Sequence, residues 1–219
     1  MEYIRVTKEN LDREHICCAI SSNKDVQVAS KKAWLAERFD EGLVFLKSVE
    51  RGKCFIEYLP AEYAWNPICA DGYLYIDCLW VSGSFKGHGY STDLLSACID
   101  DGKKQGKQGL CILSSEKKKP FLADPKFLKY KGFSVSDEAD NGIQLWYLPF
   151  SPDAEPPRFR DCARIPISTS RAMCSTTPAS APSTPNTCPS LPVRRRSRAC
   201  PSALSSSRPA RPRRARPRR

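Results

Sequence analysis

GYLYIDCLWVSGSFKGHGYSTDLL, residues 72–95, joins two contrasting patterns. Its first ten residues are apolar at almost every position, which is how a strand covered on both faces reads, because neither side of the pleat meets water. Leu94 and Leu95, followed by Cys98 and Ile99, recur at helical spacing. Between them lie Gly83, Gly87 and Gly89 with a lysine and a histidine, so a buried strand passes through a glycine turn into the start of a helix. Such a turn suits an anion. The first amides of a helix have no partner within it, the peptide dipoles add there, and glycine leaves no Cβ between backbone and ligand.

Three phosphate-binding patterns compete for this turn. A P-loop needs Gly-Lys followed by Ser or Thr, and none occurs in the chain. A dinucleotide fingerprint starts well at Gly87 and Gly89 but meets Thr92 where its third glycine belongs. The third pattern is a pyrophosphate loop reading Gln/Arg-x-x-Gly-x-Gly/Ala between a strand and a helix. Lys86-Gly87-His88-Gly89-Tyr90-Ser91 fits it with Lys for Gln/Arg and Ser for Gly/Ala.

Working outward, Gly42 and Gly52 bracket LVFLKSVER, and KCFIEY alternates over residues 53–58, which predicts two antiparallel strands joined by a tight turn. Ser30 is the expected cap of a helix running through Trp34, Leu35 and Phe39 to Gly42, and Thr7 of a shorter one through Leu11. The helix after the glycine turn should end in the lysine-rich stretch around Gly106. A strand over residues 109–114, a helix-like segment over about 120–131 and a pair of strands in FSVSD and IQLWYL follow. The expected fold is mixed α/β, or α+β, with a central sheet flanked by helices over residues 1–150.

The formal charge of +11 divides unevenly. Residues 1–150 carry 20 Lys and Arg against 21 Asp and Glu, whereas residues 151–219 carry 15 Arg, no Lys and 3 acids. That last segment also holds 13 of the 18 prolines, no glycine, and Phe159 as its one aromatic residue. It cannot bury enough apolar surface to offset its chain entropy, so disorder is expected. Shifted GC-rich codons spell Arg, Pro, Ala and Ser, so loss of reading frame after about Ile165 would account for the change of composition. RRRSR (194–198) and the terminal arginines would hold nucleic acid only non-specifically, with no aromatic side chain to stack on bases.

The amino-terminal residues have no apolar signal core, and no run approaches a membrane span, so a cytoplasmic chain without a membrane partner is expected. The 11 cysteines contain no CxxC spacing and read mostly as buried thiols. His15 with Cys17 and Cys18 lacks further ligands nearby in sequence, and no metal site is expected.

The loop at residues 86–91, its place between strand and helix, and the phrase FLKYKGF some forty residues later together resemble the GNAT N-acetyltransferase family over roughly residues 2–150. LWVSGSFKGHGY and RGKCFIEYLPAEYAW resemble its YoaP-type branch. The resemblance implies acetyl-CoA as co-substrate and a primary amine, on a small molecule or peptide, as acceptor. It implies that the strand splays open beyond Leu79 and Val81, with Leu79, Trp80 and Val81 offering backbone to pantetheine. Lys86, Gly87, His88, Gly89, Tyr90 and Ser91 would hold the diphosphate. A general base should lie on or beside the central strand; Asp77 is the nearest carboxylate and Glu116 closes the next strand, although each also reads as a solvated side chain. The tyrosine that often serves as the family's acid corresponds to Leu128, with Tyr130 two positions late, so a degenerate acyl-CoA binder is the alternative. A monomer or homodimer is expected.

Overall fold

The computed structural model describes residues 1–50 and 53–161. In chain order these form strand β1 (Tyr3–Val6), helix α1 (Val26–Arg38), strands β2 (Val44–Ser48), β3 (Cys54–Pro60), β4 (Ile68–Cys69) and β5 (Tyr73–Val81), and helix α2 (Tyr90–Lys104). Strand β6 (Gly109–Ser115), helix α3 (Pro125–Tyr130) and strands β7 (Ser134–Glu138), β8 (Ile143–Pro149) and β9 (Arg158–Phe159) follow. Seven strands make one sheet in the order β1-β2-β3-β5-β6-β8-β7, and β4 pairs with β9. Within the large sheet only β5 and β6 run parallel, with α2 as their crossover, so the expected mixed sheet flanked by helices is observed.

Each face of the sheet has its own core. Alternate residues of β3 and β5 (Phe55, Leu59, Tyr73, Tyr75) pack with Val28 and Leu35 of α1, and the intervening ones (Ile56, Tyr58, Leu74, Ile76) pack with Leu94, Leu95 and Cys98 of α2. On β5 this alternation breaks once. Glu57 pairs with Cys78 but Tyr58 pairs with Ile76, which leaves Asp77 as an extra, unpaired residue. The bulge reverses parity, so Cys78 turns to the α1 core and Leu79 and Val81 to the α2 core.

Several local expectations are corrected. Helix α1 starts at Val26 rather than after Ser30, because Asp25 Oδ1 accepts the Gln27 amide at 2.8 Å; the Ser30 hydroxyl donates back to Val26 O inside the helix. Thr7 opens hydrogen-bonded turns through Leu11 but no α-helix. Helix α3 is confined to Pro125–Tyr130, since Asp124 caps it by accepting the Lys126 amide and Pro125 has no N–H to leave unpaired. Six described cysteines are free thiols, but Cys69 is disulfide-bonded.

Ordered elements also continue past the boundary expected at Phe150. Phe159 of β9 is buried against the α1-side core, its amide donates to Asp137 Oδ2 at 2.8 Å, and the Arg160 amide donates to Pro67 O at 2.7 Å. The Phe159 ring, the β4–β9 pairing and these hydrogen bonds together carry the fold beyond β8. The expected disorder, frame loss and arginine clusters after Asp161 lie outside the described residues.

Candidate active site

The central strand opens earlier than expected. Strand β5 pairs with β6 only over Tyr73–Ile76, opposite Gly109–Ile112. Beyond Ile76, β5 stays with β3, whereas Leu113–Ser115 of β6 stay with β8, so the two strands diverge from the bulge at Asp77. Strand β5 therefore reads as buried on both faces only in its first half; Asp77 and Trp80 are exposed. Alternate backbone N–H and C=O groups of residues 77–81 have no strand partner on that side.

Two cavities flank the gap. One, of about 330 Å³, lies on the α2 and α3 side and is lined by Val81, Lys86, Gly87, Ser91, Lys118, Phe127 and Leu128. The other, of about 260 Å³, is lined by Cys18, Asn66, Tyr75, Asp77, Cys78 and Phe121. Leu79, Trp80, Ile112, Leu122 and Ala123 line both, so the two meet through the opening in the sheet.

The first cavity ends at the glycine turn. Gly87 and Gly89 hold φ of 83° and 81°, the left-handed region that favours glycine, and Gly89 is the N-cap of α2 with no side-chain cap. A Cβ at either glycine would meet no protein atom within 4 Å, so the space above them is open. Among the described residues, the amides of residues 87–91 make no hydrogen bond, while those of Thr92 and Asp93 return to Gly89 O. Lys86 and Lys118 line this cavity, Lys118 in an ion pair with Asp124 at 3.0 Å, and Lys131 Nζ donates to Thr92 Oγ1 at 2.7 Å. Cations beside a helix N-terminus oppose its dipole unless an anion joins them. Open amides, Cβ-free space and lysines together fit a diphosphate. His88 is exposed and stacks on Tyr90 at 5.6 Å, and neither side chain lines the cavity.

The second cavity is backed by a charged cluster. Glu57 on β3 is fully buried; its Oε2 accepts from Lys31 Nζ at 2.7 Å, and its Oε1 has no hydrogen-bond partner among the described residues. Burial pushes this carboxyl up to about 7, with Lys31 opposing and Asp77 adding to the rise. Asp77, although its side chain reaches the surface, is also raised by desolvation from the protein packed around it, again against Lys31. Beside them the Cys18 thiol is pulled below the ordinary thiol range, chiefly by a hydrogen bond from Cys78, whose own thiol is pushed up by that pairing and by burial.

Of the residues singled out from sequence, Leu79, Trp80, Val81, Lys86, Gly87 and Ser91 line one cavity and Asp77 lines the other. Glu116 is exposed just past the end of β6 and lines neither. Leu128 is buried where the family's tyrosine would stand, and Tyr130 is 81% exposed with Lys131 over its ring. Both ring nitrogens of His15 are held, by Asn23 Oδ1 and Cys17 O, which makes it a structural residue. Sequence reading missed Glu57, Lys31 and Lys131, and weighed Cys18 only as part of a metal corner with His15 and Cys17. Glu57 did carry a signal: it is the one charge within CFIEYL, a strand otherwise apolar or aromatic.

The family model described as "Acetyltransferase (GNAT) family" matches residues 9–120. The chain belongs to the GNAT acetyltransferase family. It is 46% identical over 161 residues to the "Uncharacterized N-acetyltransferase YoaP" of Bacillus subtilis strain 168, covering 73% of this chain and 64% of that one. The chain thus spans under two thirds of that relative's length. Among solved structures it is similar to the ribosomal-protein-alanine N-acetyltransferase of Brucella melitensis (TM-score 0.49, 15% identity, covering 68% of this chain and 100% of that one). It is also similar to the PaiA N-acetyltransferase of Thermoplasma acidophilum, solved in complex with coenzyme A (TM-score 0.45, 14% identity, covering 68% and 100%). No helix among the described residues is long and apolar enough to cross a membrane.

Proposed function

We propose that this GNAT chain is an N-acetyltransferase that moves the acetyl group of acetyl-CoA to a primary amine by direct attack. One observation carries the reading: the gap between β5 and β6 joins an amide- and lysine-lined cavity to one that bears a carboxylate. The amides of residues 87–91 and Lys86 hold the diphosphate. The unpaired main chain of residues 77–81 receives the pantetheine arm as an added strand and directs the thioester into the gap. The amine enters from the Asp77 side, loses one proton to a carboxylate before attack, and loses a second as the amide forms, while the departing thiolate takes one proton up.

The identity of the group that returns this proton separates a second reading. Leu128 has no hydroxyl and Tyr130 faces solvent, which favours an acyl-CoA binder of low turnover. Titration of the full chain with acetyl-CoA, followed by thiol release with a panel of primary amines, decides between them. Binding with amine-dependent release supports transfer, binding without release on any amine supports the second reading, and absence of binding overturns both. Arginines 194–219 would add only salt-sensitive, non-specific contact with nucleic acid.

A further inference from the structure

The two cavities differ in charge. Lys86, Lys118 and Asp124 line the one that ends at the glycine turn, Lys118 and Asp124 being ion-paired at 3.0 Å, whereas Asp77 is the only charged residue lining the other, with no Lys, Arg or His among its lining residues. Behind Asp77 lie the buried Glu57 and its ion pair with Lys31. Lys31 faces two carboxylates, Glu57 by an ion pair and Asp77 by its charge, and the second oxygen of Glu57 is buried without a partner among the described residues. A cation bound beside Asp77 from the cavity side adds opposite charge to this cluster.

The walls point to the rest of the molecule. Phe121 is the one described residue other than glycine with positive φ, at 65°, and it is 83% exposed. Neither backbone preference nor burial within the protein accounts for an aromatic ring there, and a ligand that covers it does. Trp80, 39% exposed, lines the junction of the two cavities, and Leu79, Leu113 and Leu122 complete an apolar wall. A cavity of about 260 Å³ suits a compact organic group.

Resting on the acetyl-transfer reading, we propose that the acceptor is a small organic cation: a primary amine carried on a compact apolar or aromatic body with no anionic group. Its ammonium binds beside Asp77 in front of Glu57, and its body packs between Trp80 and Phe121, where the ring faces favour a cation as well as apolar surface. In the transfer step the ammonium gives one proton to the Asp77 side of the carboxylate pair. The nitrogen lone pair then forms the new C–N bond, the C–S bond breaks with its electrons on sulfur, and the second nitrogen proton goes through water to that thiolate.

The test pairs 2-phenylethylamine with phenylalanine, which has the same body plus a carboxylate, and with a hexapeptide bearing a free amino terminus. With the full chain and saturating acetyl-CoA, thiol release should show kcat/KM for phenylethylamine at least tenfold above phenylalanine and the peptide. Asp77→Asn should raise KM for phenylethylamine at least tenfold while leaving the affinity for acetyl-CoA unchanged. Calorimetric titration of phenylethylamine into the CoA-bound chain provides a second readout that needs no turnover, and should show saturable binding lost in the variant. Equal or faster reaction with phenylalanine or the peptide, or no saturable binding of phenylethylamine, overturns the acceptor proposal with acetyl transfer intact. Absence of acetyl-CoA binding overturns the transfer reading instead, and is recorded separately in the same titrations.

Discussion

Lys31 Nζ lies 2.7 Å from Glu57 Oε2, joining helix α1 to a fully buried position on β3, while the other oxygen of that carboxyl has no hydrogen-bond partner among the described residues. One lysine does not compensate the transfer of a carboxylate out of water when a second carboxylate, Asp77, stands nearby. The net effect is a Glu57 carboxyl raised to about 7, which therefore sits near its midpoint at neutral pH.

This gives stability a pH dependence of known sign. A carboxyl raised on folding stabilises the native state fully below its unfolded value of 4.5, and that contribution is lost as pH climbs through about 7. The loss is on the order of 3 kcal/mol, and Glu57→Gln, which does not ionise, escapes it. Urea unfolding at pH 5 and pH 8 should therefore show the variant gaining on the native protein as pH rises. A difference between the two proteins that does not change with pH would sink this account.

The glycine turn makes a different kind of demand. Gly89 needs its φ of 81°, yet a Cβ there meets no protein atom. Gly89→Val should therefore cost only about 1–2 kcal/mol or slightly more in backbone strain, and the protein should still fold. The new side chain projects into the space above the open amides, so CoA binding measured by calorimetry should be abolished. His88→Ala should leave that binding unchanged, because the ring only stacks on Tyr90. Undiminished binding in Gly89→Val would remove the amide row from the site.

Local pattern made the larger elements legible and contact made the rest. The glycines at 87 and 89 and the helical spacing of Leu94, Leu95 and Cys98 report an environment set by neighbours in sequence, whereas the apolar run at 72–81 is buried on both faces only over 73–76. The bulge at Asp77 leaves no mark in the sequence, since it arises only when β5 is laid against β3. The early splay, the reversal of parity and the approach of Cys78 to Cys18 follow from it. Ser30 misled for a related reason: several residues nearby can cap a helix, and only the backbone trajectory selects Asp25. Glu57 and Lys31, 26 residues apart, acquire their chemistry from an ion pair that neither stretch displays alone, although Glu57 stands out as the one charge in its apolar strand.

The cysteine pair at the acceptor-side cavity should differ from the other thiols in reactivity. A hydrogen bond from Cys78, and after it the charge of Lys31, favours the Cys18 thiolate against the penalty of burial. Burial holds the Cys54, Cys98 and Cys111 thiols up, and pairing does so for Cys78. Iodoacetamide at pH 7, followed by peptide mass spectrometry, should label Cys18 well before those four. Cys78→Ala should slow the labelling of Cys18 by removing its donor. Labelling of Cys54 or Cys111 first would contradict the assignment.

Residues past Phe150 offer the last test, because composition and structure disagree there. The stretch reads as unable to fold, yet Phe159 is only 5% exposed and pairs with Ile68, and Arg160 Nε donates to Ile68 O at 2.9 Å. A single ring can anchor a polar, proline-rich segment when its pocket is already formed by other elements, here β4 and the α1-side core that also holds Ala139 and Leu145. Removing it leaves a cavity that those elements do not refill, so Phe159→Ala in the full chain should lower stability by about 3–5 kcal/mol in urea unfolding. Asp153→Ala, on an exposed position in the same segment, should change stability by less than about 0.5 kcal/mol. Equal, negligible effects of both substitutions would mean that the folded region ends at Phe150 after all.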